Sequence, residues 1–529
     1  MKVSWKKYWI AVSGGQVGEP VASRRRSIWR VGLAVWFALL LAIAGSCAQN
    51  PDTPTGRGIR IGRLAHRLAN AANPYRQRIR ADRQLAALVG TNSSIRLHLL
   101  TDIICDPTDS PRIKVYALAR LAHCEPGLAR HLLHRRIYKM EHWRVLTAAC
   151  QWAVSLHDRG SLNALFRSLK RPARRFAIPH RPEAAAIRYL CHSTLTQALW
   201  QRLAQGGDIA ARLAALEILY QVHGRAAVKA GILKLVPRDP LIASLSWYIR
   251  IFGYVPHRAT EVAWIEQLDH QPSADIVRLA RQRIGRVTGR GKMRHGIAPR
   301  YLKLLAILVK PADYPSALAL KRQVASLLAT HRHIRRPVPY AGAPTDINPT
   351  LAANADRLTY CDLLLVRTML QALSQASFVH SVWRLGKASR RDTSSEQGGL
   401  ILANHGQPKQ SGPRLRLRLF APAMRLNNTI YVSSPQLLMA TPHGLAEFIF
   451  HFQRRHNARY TGPAEGDLKY VRHKGCSVVI FTSTGRRKFD TVLDTPTGAV
   501  LDLGISAAEK SIAAVRRVMY PQPSPQALP

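Results

Sequence analysis

Three short stretches near the carboxyl end of the chain decide its interpretation. Residues 396–401 read EQGGLI, an acid and a glycine pair ahead of an apolar run that is typical of a strand. Residues 448–453 read FIFHFQ, a second strand-like run that carries one histidine. Residues 462–467 read GPAEGD, which is typical of a turn into a helix. Glu396, His451 and Asp467 have donor types that a protein zinc site uses, so we expect them to converge.

The segments around these stretches predict a layered α+β domain over residues 355–520. Residues 358–385 have the apolar spacing of one long amphipathic helix, and residues 467–473 and 507–518 predict two more helices. Strand-like runs occupy residues 399–403, 415–420, 429–432, 447–452, 476–482, 488–493 and 499–503. A helix followed by a mixed sheet with an inserted helix is an α+β arrangement.

This order of elements and polar residues resembles the JAB/MPN (JAMM) metalloprotease family. In active members a Glu acts as base on a zinc-bound water, two His and one Asp hold the zinc, and a Ser stabilises the oxyanion. The resemblance covers roughly residues 355–505. Carried over to this sequence, it implies that Glu396 is the base and that His451 and Asp467 are the first and last metal ligands.

Two positions depart from the family pattern. Gln453 stands where the second ligand His is expected, and Ala464 stands where the Ser is expected. A neutral amide is a poor zinc ligand, and Ala464 offers no side-chain donor for an oxyanion. The pattern therefore favours a retained fold without activity and without a cofactor, with zinc expected only if the site is active. An alternative is that Glu396, His451 and Asp467 are ordinary strand and turn residues of an unrelated α+β domain.

Residues 75–330 carry a helical pattern with a recurring theme. The theme places a small residue in the middle of an apolar helix, and the steps between copies are 32, 37, 29, 31 and 34 residues. These small residues are Ala117, Ala149, Ala186, Ala215, Ser246 and Ala280. A period in the low thirties predicts an α-solenoid, because paired helices bury their apolar faces only by stacking on neighbours. The theme resembles HEAT repeats. A non-repeating helical bundle remains the alternative.

The first 47 residues predict an export signal or a membrane anchor. Residues 31–44 form an apolar run of 14 residues that is preceded by Arg24, Arg25, Arg26 and Arg30. Residues 44–47 read AGSC and resemble a bacterial lipobox, which implies lipidation of Cys47. Ala44 departs from the usual Leu of that motif, so an ordinary cleavage near Ala48 and an uncleaved anchor stay open. Each of these alternatives places the protein in the cell envelope.

The large positive charge of the chain does not by itself identify the class of its partner. The 529 residues carry a formal charge of +48, and 60 of the 78 basic residues are Arg. An anionic partner and a high-Arg genome both account for this excess, because the charge is spread along the chain. Export disfavours nucleic acid and favours a protein, an anionic envelope polymer or lipid headgroups. The seven cysteines contain no close pair, which argues against a zinc finger.

Together these patterns predict a multidomain chain, an α-solenoid plus a C-terminal α+β domain. We expect an export segment at 1–47, a linker at 48–74, HEAT-like repeats at 75–330, a Pro-rich linker at 331–354 and the JAB/MPN-like domain at 355–520. The expected function is a membrane-tethered or periplasmic interaction scaffold. The alternatives are a JAMM-type zinc peptidase or isopeptidase, and a nucleic-acid-binding helical-repeat protein.

Overall fold

The structure is a computed structural model. It describes residues 54–171, 176–268, 273–288, 296–308, 313–333, 347–392, 394–403, 415–425 and 431–508. The described residues divide into two compact units at Val228 and Lys229. The predicted export segment with Cys47 and nearly all of the predicted helix 507–518 lie outside the described residues. Within the described ranges, no helix is both long enough and apolar enough to cross a membrane.

The first unit is built from helices. They are α1 (Pro54–Ala69), α2 (Tyr75–Val89), α3 (Ser94–Cys105), α4 (Pro111–Cys124), α5 (Pro126–Arg136), α6 (Trp143–Ser155), α7 (Leu162–Leu169), α8 (Pro182–Cys191), α9 (Leu195–Ala204) and α10 (Ile209–Lys234), whose last residues pass Val228. Prolines open several of these helices, where a missing backbone N–H costs nothing. Helix α8 ends on His192 at φ 50°, and Gly224 at φ 73° interrupts α10.

The second unit combines helices with a sheet. Its helices are α11 (Pro240–Phe252), α12 (Ala259–Gln267), α13 (Ser273–Thr288), α14 (Leu302–Ile307), α15 (Ala317–Ala329), α16 (Leu351–Asn354), α17 (Tyr360–Leu373), α18 (Ala376–Arg391), α19 (Pro435–Ala440) and α20 (Glu465–Lys474). Its strands are β1 (Gly398–Ala403), β2 (Leu415–Phe420), β3 (Ala446–His451), β4 (Val478–Gly485), β5 (Lys488–Asp494) and β6 (Val500–Ala507). The protein is therefore a helical region followed by a domain with a mixed sheet.

The repeated small residues all lie inside helices and are all buried. Each of the six is exposed by 4% or less. They belong to α4, α6, α8, α10, α11 and α13. Small side chains at buried positions leave room for neighbouring helices to approach closely.

Some of the arginines are buried inside the helical unit, where they bond to the ends of helices. Arg78, Arg181 and Arg212 are each exposed by 4% or less. Each lies at or near the start of a helix and donates to a carbonyl in the last turn of the preceding helix, at 2.7–2.9 Å. The accepting carbonyls belong to Leu68, Leu169 and Leu203. Cations at helix C-termini satisfy these unpaired carbonyls and complement the helix dipole.

The sheet is six-stranded, with the order β2-β1-β3-β4-β5-β6. Strands β3 and β4 are parallel and are connected through α20, and every other neighbouring pair is antiparallel. One face packs on α17 and α18 through an aromatic cluster. That cluster contains Phe448, Phe450, Phe452, Phe481 and Phe489. The opposite face packs on α20 through Leu468 and Val471.

A glycine pair fixes β1 between its neighbours. A Cβ at Gly398 would lie 2.7 Å from the carbonyl oxygen of Phe448 in β3. A Cβ at Gly399 would lie 2.0 Å from the carbonyl oxygen of Arg418 in β2. Only glycine permits backbones to approach this closely, so the pair sets the position of Glu396 just before β1.

Two expectations about helices are wrong. The predicted linker 48–74 contains α1, because Leu64 and Leu68 lie four residues apart and bury a helical face. The predicted single helix 358–385 is two helices, α17 and α18. The break lies at Gln375, whose extended backbone (φ −89°, ψ 122°) follows the C-cap Ser374 of α17 and precedes α18. The predicted strand 429–432 lies partly outside the described residues, and residues 431–432 are not in a strand.

Candidate active site

The sheet brings Glu396 and His451 together. His451 is the last residue of β3, and Gly398 of β1 is the antiparallel partner of Ile449. Counting two residues back along β1 and two forward along β3 places Glu396 beside His451. The His451 Nε2 lies 3.6 Å from the Glu396 Oε1, and the two side chains are 10% and 5% exposed. Two of the three residues that we expected to converge therefore lie side by side.

Gln453 also reaches this site, although not as a ligand. Its amide Nε2 donates to the Glu396 Oε1 at 2.8 Å. Its Oε1 accepts from the Asn457 Nδ2 at 2.8 Å, and the same Nδ2 lies 3.2 Å from the His451 carbonyl oxygen. The amide therefore bonds to the carboxylate that the resemblance assigns as base. Asn457, which sequence reasoning missed, holds the amide in that orientation.

The backbone fixes the orientation of the histidine ring. The His451 Nδ1 lies 3.0 Å from the carbonyl oxygen of Tyr460. A carbonyl only accepts, so Nδ1 carries the proton and Nε2 faces Glu396. His456, five residues further along, forms a β-bridge with Thr484 and is exposed. It does not replace the missing ligand.

Asp467 lies near Glu396 and also has a structural role. It is the third residue of α20, and its Oδ2 accepts from the Ala464 backbone N–H at 2.8 Å. This bond caps the N-terminus of α20, as the acidic residue of a capping box does. Ala464 itself contributes no side-chain donor. Asp467 is close enough to Glu396 for its charge to raise the pKa of that carboxyl.

Burial dominates the electrostatics of the site. It raises the pKa of Glu396 to about 7, with Asp467 acting in the same direction. The electrostatic interaction with His451 and the hydrogen bond from Gln453 oppose this rise in the pKa of Glu396. Near neutral pH the protonated and the ionised forms of the Glu396 carboxyl are therefore both populated.

The raised pKa of Glu396 predicts how the stability of the protein depends on pH. The folded pKa of Glu396 lies above the unfolded value, so the folded state holds the extra proton and stability falls as pH rises from about 4.5 to about 7. For the chelator-treated full chain, we expect Glu396 to contribute roughly 1–3 kcal/mol of this fall. Urea unfolding of wild type and Glu396→Gln at several pH values measures the difference.

Glu465→Gln is the matched control for this prediction, because Glu465 is an exposed carboxylate on α20. We expect the free energy of unfolding of Glu465→Gln to depend on pH in the same way as that of the wild type. Curves for Glu396→Gln that run parallel to wild type across the same pH range would contradict the assignment.

A polar row continues from this site across the sheet. Thr482 of β4 is the register partner of His451, and Asp490 of β5 is the partner of Thr482. Both side chains are buried, and the Thr482 hydroxyl has no hydrogen-bond partner among the described residues. Sequence reasoning missed this row, because a single Thr in an apolar strand carries no signal until the register is known.

The donor set does not fit zinc. Glu396, His451 and Asp467 are ligand types, but the Glu396 Oε1 accepts the amide hydrogen of Gln453 and the Asp467 Oδ2 accepts the Ala464 N–H at the start of α20. Structural and catalytic zinc sites take at least three protein ligands, chosen from thiolate, imidazole and carboxylate. Within the described ranges, no group of three or more His, Cys, Asp or Glu side chains is placed to hold a metal ion.

Comparison with protein-family models, curated proteins and solved structures gave no match. The fold and the site therefore rest on the chain's own geometry.

Proposed function

We propose that this chain is an interaction scaffold that keeps a JAB/MPN-like α+β domain without its zinc chemistry. The observation that carries the proposal is the bond from the Gln453 amide to Glu396. In the family pattern this position supplies a ligand, whereas in this chain it hydrogen-bonds to a carboxylate inside the fold. Asp467 caps α20 and His451 is fixed by Tyr460, so each residue of the motif has a structural role.

The helical region is the proposed partner-binding part. HEAT-like repeats present long surfaces built from many helices, and such surfaces suit protein or polymer partners. Several arginines are exposed on it, including Arg135 and Arg188. An anionic envelope polymer or an acidic protein complements them.

Export and tethering are part of the same proposal. Residues 1–47 would direct the chain to the cell envelope, with a lipid on Cys47 as the tether. Intact mass spectrometry of the detergent-extracted protein tests this directly. A mature chain that begins at an acylated Cys47 supports it, and a full-length unmodified chain contradicts it.

Metal analysis of the purified full chain tests the loss of activity. We expect less than about 0.1 equivalent of zinc per chain and no cleavage of peptide or isopeptide substrates, because the third ligand is absent. His451→Ala serves as the control and should leave the zinc content unchanged. Stoichiometric zinc in the wild type that is lost in His451→Ala would overturn the proposal.

The second candidate is a JAMM-type zinc peptidase or isopeptidase, and one observation favours it. The bond between His451 Nδ1 and the Tyr460 carbonyl leaves Nε2 facing the site, which is how metal-ligating histidines are commonly oriented. In that case His451 and Asp467 would hold the zinc and Glu396 would be the base. The metal analysis above separates the two candidates.

Nucleic acid is the less favoured partner. Several arginines of the helical region are buried and engaged with helix ends, so the formal charge overstates the available positive surface. Nucleic-acid binding with a steep negative salt dependence would reverse this preference.

A further inference from the structure

The two edge strands of the sheet, β6 and β2, differ in whether other described parts of the chain cover them. Along β6, the outer edge is covered by the chain itself. The Ile505 N–H donates to the Arg332 carbonyl and the Asp502 N–H donates to the Pro349 carbonyl. The Asn354 side chain both accepts from the Val500 N–H and donates to its carbonyl. Covering an edge in this way prevents another strand from adding to it.

The other edge, β2, has no such cover among the described residues. The bonds from Phe450 to Gln397 and from Leu445 to Ile401 show that odd-numbered residues of β1 face β3. Even-numbered residues of β1 therefore face β2, and their register partners are Arg416, Arg418 and Phe420. It follows that the backbone N–H and C=O groups of Leu415, Leu417 and Leu419 point away from the sheet. Within the described ranges, no residue forms a hydrogen bond with these groups.

The side chains of β2 divide by face. Leu415 belongs to the core next to α18, and Leu417 and Leu419 pack against it. Arg416 and Arg418 are exposed on the opposite face. The edge thus presents three outward backbone pairs together with two positive charges at alternate positions.

We propose that the outer edge of β2 binds an extended acidic segment of a partner protein, which adds to the sheet as a seventh strand. Backbone pairing would supply affinity, and acidic side chains opposite Arg416 and Arg418 would supply selectivity. A second copy of β2 is the disfavoured occupant, because antiparallel self-pairing brings these arginines against each other. The inference specifies a partner for the proposed scaffold. It does not depend on whether the Glu396 site binds zinc.

Hydrogen exchange of the free full chain tests whether the edge is available. We expect the amides of Leu417 and Leu419 to exchange at least about tenfold faster than that of Arg418, which faces β1. Equal and strong protection of all three amides would show that the edge is already covered, and would overturn the proposal.

A designed peptide tests recognition. The probe is a nine-residue peptide, blocked at both ends, in which Glu alternates with Val. We expect it to bind the full chain in fluorescence anisotropy and to slow exchange at Leu417 and Leu419. A peptide with Lys in place of Glu should bind at least about tenfold more weakly, because it faces the arginines with like charges.

Matched variants separate edge recognition from general attraction to a basic protein. Arg416→Glu/Arg418→Glu should lower the affinity for the acidic peptide at least about tenfold and raise the affinity for the lysine peptide. Arg384→Glu/Lys387→Glu makes the same change of charge at two exposed positions on α18 and should leave both affinities within about twofold. Equal losses in the two double variants, or no binding of the acidic peptide, would overturn the proposal. In the latter case the arginines would serve only to keep other strands away.

Discussion

Replacing Glu261 by Gln is expected to lower the free energy of unfolding of the second unit by about 3–5 kcal/mol. Glu261 is fully buried. Its carboxylate accepts from the Tyr254 hydroxyl at 2.8 Å and from the Arg258 guanidinium at 3.0 Å, and a nitrogen of Arg300 lies at 3.9 Å. The substitution removes the counter-charge of the largely buried Arg258 guanidinium and weakens that of Arg300, which Asp362 also balances.

The same carboxylate joins the helices of this unit to the sheet domain. Arg300 also donates to the carbonyl of Gly475 at 3.4 Å, at the C-terminal end of α20. Thr260, next to Glu261, donates to the carbonyl of Lys474 at 2.5 Å. Cations at a helix C-terminus are favourable, so Glu261 holds in place the groups that terminate α20.

The effect of Glu261 depends on pH in a defined direction. Burial alone would raise its pKa, but the charges of His257, Arg258 and Arg300 and the bond from Tyr254 lower it to about 2. A carboxyl with a lowered folded pKa stabilises above its unfolded value of about 4.3, and that contribution is lost as pH falls towards 2. We therefore expect the difference between wild type and Glu261→Gln to shrink below pH 4.

Urea unfolding with hydrogen exchange at residues 479–481 of β4 measures this prediction. Asp275→Asn is the control, since the Asp275–Arg278 pair is exposed and should contribute less than about 0.5 kcal/mol. A loss for Glu261→Gln no larger than that of the control would show that the network does not hold this unit together.

Gly399→Ala is expected to lower the free energy of unfolding by about 2–4 kcal/mol and to separate β2 from β1. The added Cβ would lie 2.0 Å from the Arg418 carbonyl oxygen, and backbone on the neighbouring strand cannot move as a side chain can. Exchange at the Arg418 amide reports the separation, and urea unfolding reports the free energy.

Gly466→Ala in α20 is the matched control for Gly399→Ala. A Cβ at Gly466 meets nothing within 4 Å, and alanine favours a helix by about 1 kcal/mol over glycine. We expect the control to be neutral or stabilising. If Gly399→Ala behaved like Gly466→Ala, the close contact between β1 and β2 would be wrong.

The sequence predicted where the six strands lie along the chain and that Glu396 and His451 come together, since strand patterns and the glycine pair are local signals. The family resemblance also implied that Gln453 stands where a ligand is expected. It could not predict that this amide bonds to Glu396, because the bond depends on the register between β1 and β3. Nor could it predict the network of Glu261, which connects residues more than 170 positions apart in the chain.

Local patterns also misled in identifiable ways. A composition rich in Pro, Gly and Arg suggested a linker where Leu64 and Leu68 anchor a helix. Continuous apolar spacing suggested one helix where the extended backbone of Gln375 separates α17 from α18. The formal charge overstates the positive surface, because Arg78, Arg181 and Arg212 are buried against helix ends. For the linker and for these arginines, burial, which no local pattern contains, determined the outcome.

We propose that Gln453 occupies the place of a metal ligand in a JAB/MPN-like fold that otherwise keeps the site. Zinc titration of the full chain against a competing chelator, for wild type and for Gln453→His, tests it most directly. We expect no saturable site in the wild type, and one equivalent bound at least about a hundredfold more tightly in Gln453→His. That gain should disappear when His451→Ala is added. Tight stoichiometric zinc in the wild type, or no gain in Gln453→His, would contradict the claim.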